Sequence, residues 1–229
     1  MRTGEFRDGL SSVIFLLVVF GCVFLHELGH ALMALRFGVK TLDITLLPIG
    51  GLARLERMPR EPRAEFLIAV AGPAVNVVIA AAIFLVVVAT GLLNSLTGTS
   101  PLKLGFLSQL FVVNLGLVVF NMIPAFPMDG GRVLRSFLAR RRPYLRATQL
   151  AVRIGRYFSF AMILVGIVYG QFGLVLIGGF MLFAGFAELV QVHTTEIMEN
   201  NPGSPFPLDP QRPNDPSNTI DADDFRRID

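Results

Sequence analysis

The chain has 229 residues, 53% of them apolar and 16% charged. Soluble domains carry about 25% charged residues, so this balance excludes a disordered chain and a nucleic-acid module and points to a protein embedded in lipid. The net charge of +3 is unevenly spread: residues 193–229 hold three basic and eight acidic residues, leaving 17 basic against nine acidic over residues 1–192. The single cysteine, Cys22, excludes an intramolecular disulfide and any C-x-x-C metal site.

Taken in chain order, residues 1–10 form a short polar-leaning segment and residues 11–35 the first apolar run. That segment balances Arg2 and Arg7 against Glu5 and Asp8, and no A-x-A site follows, so the run is read as a span and not as a cleaved signal peptide. After it, residues 39–55 hold Thr, Ile and Leu around Gly50-Gly51, which suits a short hairpin with a two-residue turn. Residues 66–93 make a second span, long enough to cross with tilt. A third runs over 106–123 and is interrupted by Pro124, Pro127, Gly130 and Gly131. From Tyr157 to Val190 only Glu188 is charged, and 34 residues are too many for one crossing, so a hairpin turning near Gly170 to Gly173 supplies the fourth and fifth. The expected fold class is thus an all-α polytopic membrane protein with about five transmembrane helices and a short β-hairpin or re-entrant loop after the first. Residues 11–192 form its core, and 193–229, rich in Pro, Asn, Asp and Ser, are expected to be a disordered acidic tail.

Lys and Arg collect in cytoplasmic loops. Residues 36–65 contain six basic residues and residues 140–156 six more, whereas 94–105 contain only Lys103. Both basic loops are therefore expected in the cytoplasm, residues 94–105 outside, and the acidic tail inside.

Within the first span the chain reads His26-Glu27-Leu28-Gly29-His30. On a helix, positions i and i+4 share a face about 6 Å apart along the axis, so both imidazoles can reach one metal ion. Glu27, rotated by about 100°, can face a water on that metal as general base. The chain has three His and eight Glu, and a shuffled sequence of that composition would contain the pattern roughly 0.001 times. The alternative, interfacial histidines beside a capping glutamate, fits poorly with ionisable groups placed in an apolar run, where they are costly.

Catalytic zinc usually takes three protein ligands and leaves one position to water. The third can come from Cys22, Asp43, Asp129, Glu188 or His193. Cys22 lies about 12 Å along the axis from His30 and reads better as a small buried hydrophobe. Asp129 sits where two prolines and two glycines break the helix, a backbone tolerable at membrane depth only when buried in protein or lining a cavity. There the carboxylate is placed either to reach the metal or to cap the helix that follows.

Four motifs in this order resemble the site-2 protease family of intramembrane zinc metalloproteases. They are His26 to His30, Pro48-Ile49-Gly50-Gly51, Ala71-Gly72-Pro73-Ala74-Val75-Asn76, and Asn121 through Arg132. The resemblance covers residues 11 to about 190 and is nearest to the compact prokaryotic branch that includes a sporulation pro-sigma-factor processing protease. It implies that His26, His30 and Asp129 bind Zn2+ and that Glu27 activates water. It also implies that Asn76 and Asn121 line the site, either toward substrate or as interhelical hydrogen-bonding groups, and that Gly50 and Gly51 offer strand-like backbone to an unwound substrate. The implied activity is hydrolysis of a peptide bond in or near a transmembrane segment of a membrane-anchored protein, such as a sigma or anti-sigma factor, in the plasma membrane of a prokaryote with the site toward the cytoplasm. A metal-binding transporter or channel is the alternative. Two departures stand out. Members commonly have a transmembrane helix before the motif helix and often a nucleotide-sensing cytoplasmic domain at the end, so gating by a first helix and nucleotide control are not implied here.

Overall fold

A computed structural model of the chain describes residues 2–39, 41–47, 50–55, 59–90 and 105–200. Six helices and one hairpin make up these residues. In order they are α1 (Arg2–Arg36), β1 (Thr41–Leu47), β2 (Gly50–Leu55), α2 (Pro62–Ala89), α3 (Phe106–Asn121), α4 (Asp129–Ala139), α5 (Tyr144–Val168) and α6 (Phe172–Asn200). The described residues are predominantly helical, and α1, α2, α5 and α6 are long and apolar enough to cross a membrane. The third expected span, α3, is shorter at 16 residues.

Two boundaries differ from the sequence reading. Helix α1 begins at Arg2, inside what was expected to be a separate segment. Helix α6 continues to Asn200, so residues 193–200 are helical and not part of a tail. No proline interrupts it before Pro202, and the hydroxyls of Thr194 and Thr195 donate to the carbonyls of Val190 and Gln191 instead of competing with the helix. The remainder of the expected tail, residues 201–229, lies outside the described residues, as do Pro48, Ile49 and nearly all of 94–105.

Pro62 opens α2 at a position where its missing N–H costs nothing. Strands β1 and β2 pair antiparallel, Leu47 opposite Gly50 and Leu46 opposite Gly51, and the hairpin lies against α1. Helices α1, α2 and α3 meet around Cys22, Ile83, Val87 and Leu110. A second cluster of Phe126, Ala151 and Val152 joins the break before α4 to α5, with Leu189 of α6 against it.

In lipid there is no hydrophobic drive between helices, so packing relies on small residues that let backbones approach. Helices α5 and α6 turn at Gly170, whose φ of 64° is the left-handed conformation open to glycine. They then press together at Gly166 and Gly178: a Cβ on Gly178 would lie 2.8 Å from the Ser159 carbonyl oxygen. Gly178→Leu is therefore expected to force the pair apart at a cost of about 1–3 kcal/mol, seen as a lower thermal midpoint in detergent, whereas substitution of Gly179, with open space around it, leaves the midpoint unchanged.

Candidate metal centre

The i, i+4 spacing sets His26 and His30 on one face of α1, with ring centroids 4.8 Å apart and planes at 82°. Both are buried. Asp129 arrives from the other side as the first residue of α4, also buried. It does not cap that helix with its side chain; Met128 holds the N-cap position. The carboxylate instead points at the imidazoles, Oδ2 lying 3.3 Å from His26 Nε2 and 3.2 Å from His30 Nε2. The two Nε2 atoms are 3.1 Å apart.

The far side of each ring decides what these near atoms are. His30 Nδ1 lies 2.7 Å from the Ile68 carbonyl oxygen, which can only accept, so Nδ1 carries the proton and Nε2 presents a lone pair. His26 Nδ1 donates in the same way to Asn76 Oδ1 at 3.1 Å. The orientation of that amide is set in turn by Asn114. Asn114 Nδ2 donates to the Leu110 carbonyl at 2.9 Å, so its Oδ1 accepts from Asn76 Nδ2 at 3.3 Å and turns Asn76 Oδ1 toward the histidine. The Asp129 carboxylate brings one oxygen, Oδ2, to the same point.

Three electron-pair donors thus face one point. A single proton placed there could bridge only one of the three pairs; a divalent cation at the centre serves all of them. Zinc with ligand bonds of about 2.0–2.1 Å has tetrahedral edges of about 3.3 Å, and the three separations of 3.1–3.3 Å match that size. The donor set therefore fits zinc. Among the described residues, these three form the group of His, Cys, Asp and Glu side chains able to hold a metal.

The close fit demands glycine nearby. A Cβ on Gly72 would fall onto His30 Nε2 and within 2.7 Å of His26 Nε2, so α2 can cover the ligand atoms only because that side chain is missing. Gly29, between the histidines, faces the Ala71 carbonyl oxygen, 2.9 Å from where its Cβ would stand. At the break, a Cβ on Gly130 would strike the carbonyls of Met122 and Ile123, and one on Gly131 would come within 2.8 Å of Ala125 and Phe126 backbone atoms. The chain before α4 folds back over the first turn of α4, which is what brings Asp129 to the histidines.

The other expected site residues fall in different places. Glu27 is half-buried on the neighbouring face of α1 and within electrostatic reach of His30. Asn76 is fully buried with both ends of its amide engaged, which places it behind His26 and not on a substrate surface. Asn121 closes α3 and donates to the Leu117 carbonyl at 3.0 Å, apart from the hydrogen bonds of the metal group. Gly50 and Gly51 open β2. Of the other candidate ligands, Cys22 packs in the α1–α2–α3 core, Glu188 is held by Arg135, and His193 is exposed. Asp43 pairs through its backbone with Arg54 in the hairpin. Sequence reasoning missed Asn114, whose signal was available: an amide in the middle of the apolar run 106–121, where an unpaired polar group is expensive.

A helical membrane bundle that aims two histidines of a His-Glu-x-x-His helix and a carboxylate from a broken helix at one point has the build of a metallopeptidase. Peptidase family M50 matches residues 14–103 and 102–162 of the chain. The chain belongs to that family. A zinc metalloprotease of Methanocaldococcus jannaschii is 40% identical over 189 residues, covering 82% of this chain and 53% of the relative. Stage IV sporulation protein FB of Bacillus subtilis is 26% identical over 156 residues, covering 68% of this chain and 50% of the relative. The chain thus spans about half the length of the curated relatives it matches. Among solved structures, a site-2 protease from Methanocaldococcus jannaschii is similar with a TM-score of 0.56 at 33% identity, covering 79% of this chain and 88% of that one.

Two outcomes test the centre. Asp129→Asn removes the anion and should lower zinc content per purified chain at least tenfold after dialysis against a weak chelator, measured by elemental analysis. Gly72→Ala places a methyl on the ligand atoms and should also cost most of the zinc, although no ligand is changed.

Proposed function

We propose that the chain is a zinc-dependent intramembrane endopeptidase that hydrolyses a peptide bond in or near a transmembrane segment of a membrane-anchored protein. One observation carries this reading: three buried donors converge at zinc-sized separations, two of them on a helix long enough to cross the membrane, with Glu27 next to His26 in the chain. Zinc bound there would lower the pKa of water toward about 7 and polarise a carbonyl oxygen. Glu27 accepts the proton from the attacking water and delivers it to the leaving amine. His26 and His30 hold their tautomers through Asn76 and Ile68, which leaves each Nε2 lone pair to the metal, and with those lone pairs engaged neither ring would compete for that proton.

A substrate helix hides its carbonyls in its own hydrogen bonds, and cleavage requires it to unwind. The hairpin of β1 and β2 supports this step, since an extended segment satisfies its backbone by adding to a sheet edge. Gly50 and Gly51 lie at the start of β2, where the lack of side chains leaves the backbone open to such an approach. Asn121 stands close in sequence to the break and is the amide we assign to substrate; Asn76 serves the metal side.

For the membrane setting we propose five crossings, with α3 as the short one, in the plasma membrane of a prokaryote. The basic residues Arg140, Arg141, Arg142 and Arg146 follow α4 and support a cytoplasmic position for the α4 end of the site. The substrate class proposed is a single-span regulator such as a sigma or anti-sigma factor. Nothing among the described residues favours the transporter or channel alternative.

The test is cleavage of single-span substrates by the purified chain in detergent or nanodiscs. Cleavage should disappear with a strong chelator and return with zinc. Glu27→Gln should reduce it by at least a thousandfold while zinc content stays at the wild-type level; persisting proteolysis in a zinc-loaded Glu27→Gln preparation contradicts the role given to Glu27.

A further inference from the structure

Helix α4 carries the third ligand, yet it packs mainly on α2 and α5 rather than on the α1 helix whose histidines it serves. Something must therefore set its position relative to α1 through α2. The residues of α2 that touch the metal group lie on one stripe: Ile68 accepts from His30, Gly72 covers both rings, and Asn76 accepts from His26. One turn before Ile68 on that stripe stands Glu65, fully buried. Its Oε1 receives Arg135 of α4 twice, Nε at 2.7 Å and Nη2 at 2.6 Å.

Arg135 is itself 1% exposed, and the whole guanidinium is used. Its Nη1 donates to Glu188 of α6. Its Cζ lies over two rings, 4.9 Å from the centroid of Phe126 in the break and 4.9 Å from that of Tyr144 at the start of α5. Tyr144 Oη also reaches Glu65 Oε1 at 3.5 Å. The second oxygen of Glu65 is buried with no hydrogen-bond partner. Such a group is a poor device for stability alone, because a well-packed apolar pair in its place avoids the desolvation of both charges. What a guanidinium fork adds over an apolar contact is direction: it fixes the rotation and height of α4 on α2.

We infer that Arg135 and Glu65 are positioning residues for the metal centre, locking α4 onto the same α2 stripe that orients His26 and His30 so that the Asp129 carboxylate meets them at bonding separation. The inference rests on the zinc reading above. It gives α2 a defined task, holding all three ligands while donating none, and gives the buried charges one that neither packing nor catalysis requires of them.

The experiment uses the full chain in nanodiscs, with zinc affinity measured by chelator competition, the visible spectrum recorded on the cobalt-loaded protein, and helix content and thermal midpoint followed by circular dichroism. The double variant Glu65→Leu with Arg135→Met replaces the pair by apolar groups. It should keep its helix content and midpoint but bind zinc 10- to 100-fold more weakly, with an altered cobalt spectrum as Asp129 loosens. Arg135→Lys keeps the charge, loses the fork, and should fall between wild type and the double variant. A folded double variant with wild-type zinc affinity and cobalt spectrum overturns the inference. If the double variant does not fold, Arg135→Lys decides: unchanged zinc affinity overturns the inference, and failure of both variants to fold makes the pair a structural element and overturns it too. Wild-type protein that binds no zinc defeats the metal reading itself, which separates the two failures.

Discussion

The structure is organised around one electrostatic demand: two imidazole lone pairs and a carboxylate oxygen face each other within 3.1–3.3 Å inside an apolar bundle. Such an arrangement is repulsive by itself and becomes favourable around a cation. Bringing the donors together in low dielectric requires that every other polar atom on them be satisfied, because an unpaired buried group costs on the order of 1–3 kcal/mol. The chain meets this with fixed partners, Ile68 behind His30 and the Asn114–Asn76 pair behind His26, so that each ring has one tautomer and one lone pair to offer.

The same demand explains where glycine and broken backbone occur. Ligand atoms that meet edge to edge leave no room for a neighbouring side chain, and α2 crosses them at Gly72. Asp129 cannot be supplied by a straight helix running beside α1. The chain ends α3 at Asn121, folds through Pro124 and Pro127, and restarts as α4 with Asp129 in its first turn, where the positive end of the helix dipole favours an anion. Gly130 and Gly131 let the break lie directly on that turn. Irregular backbone of this kind survives at depth because it is packed against α5, through Ala151, Val152 and Gly155.

The remainder of the bundle follows from lipid as solvent. Large apolar side chains such as Leu17, Val78, Leu85, Ile167 and Phe183 point outward, while the buried positions hold Ala31, Ala34, Ala64, Ala69, Ala80, Ala147 and Ala151. This reverses the soluble pattern: outward bulk meets hydrocarbon, and inward small residues let helices touch and exchange polar contacts. The buried polar and charged side chains, among them His26, His30, Asp129, Glu65 and Arg135, lie in that contact zone.

The sequence by itself determined the elements whose cause is local. Apolar run length marked the membrane segments, the i, i+4 spacing placed His26 and His30 on one face, and the Pro and Gly residues from 124 to 131 marked the break. Residue chemistry alone left the third ligand open among five residues, since a carboxylate, thiol or imidazole distant in the chain has the same composition whether it meets the metal or not; the family resemblance singled out Asp129. Only the tertiary structure set the Asp129 carboxylate against both imidazoles, sent Glu188 to Arg135, put Asn76 behind His26, and showed Asn114 holding Asn76 in place. Each of these choices joins residues on different helices, separated by between 38 and 103 positions in the chain. Spacing along one helix cannot encode such contacts, because they depend on how α1, α2, α3, α4 and α6 pack against one another.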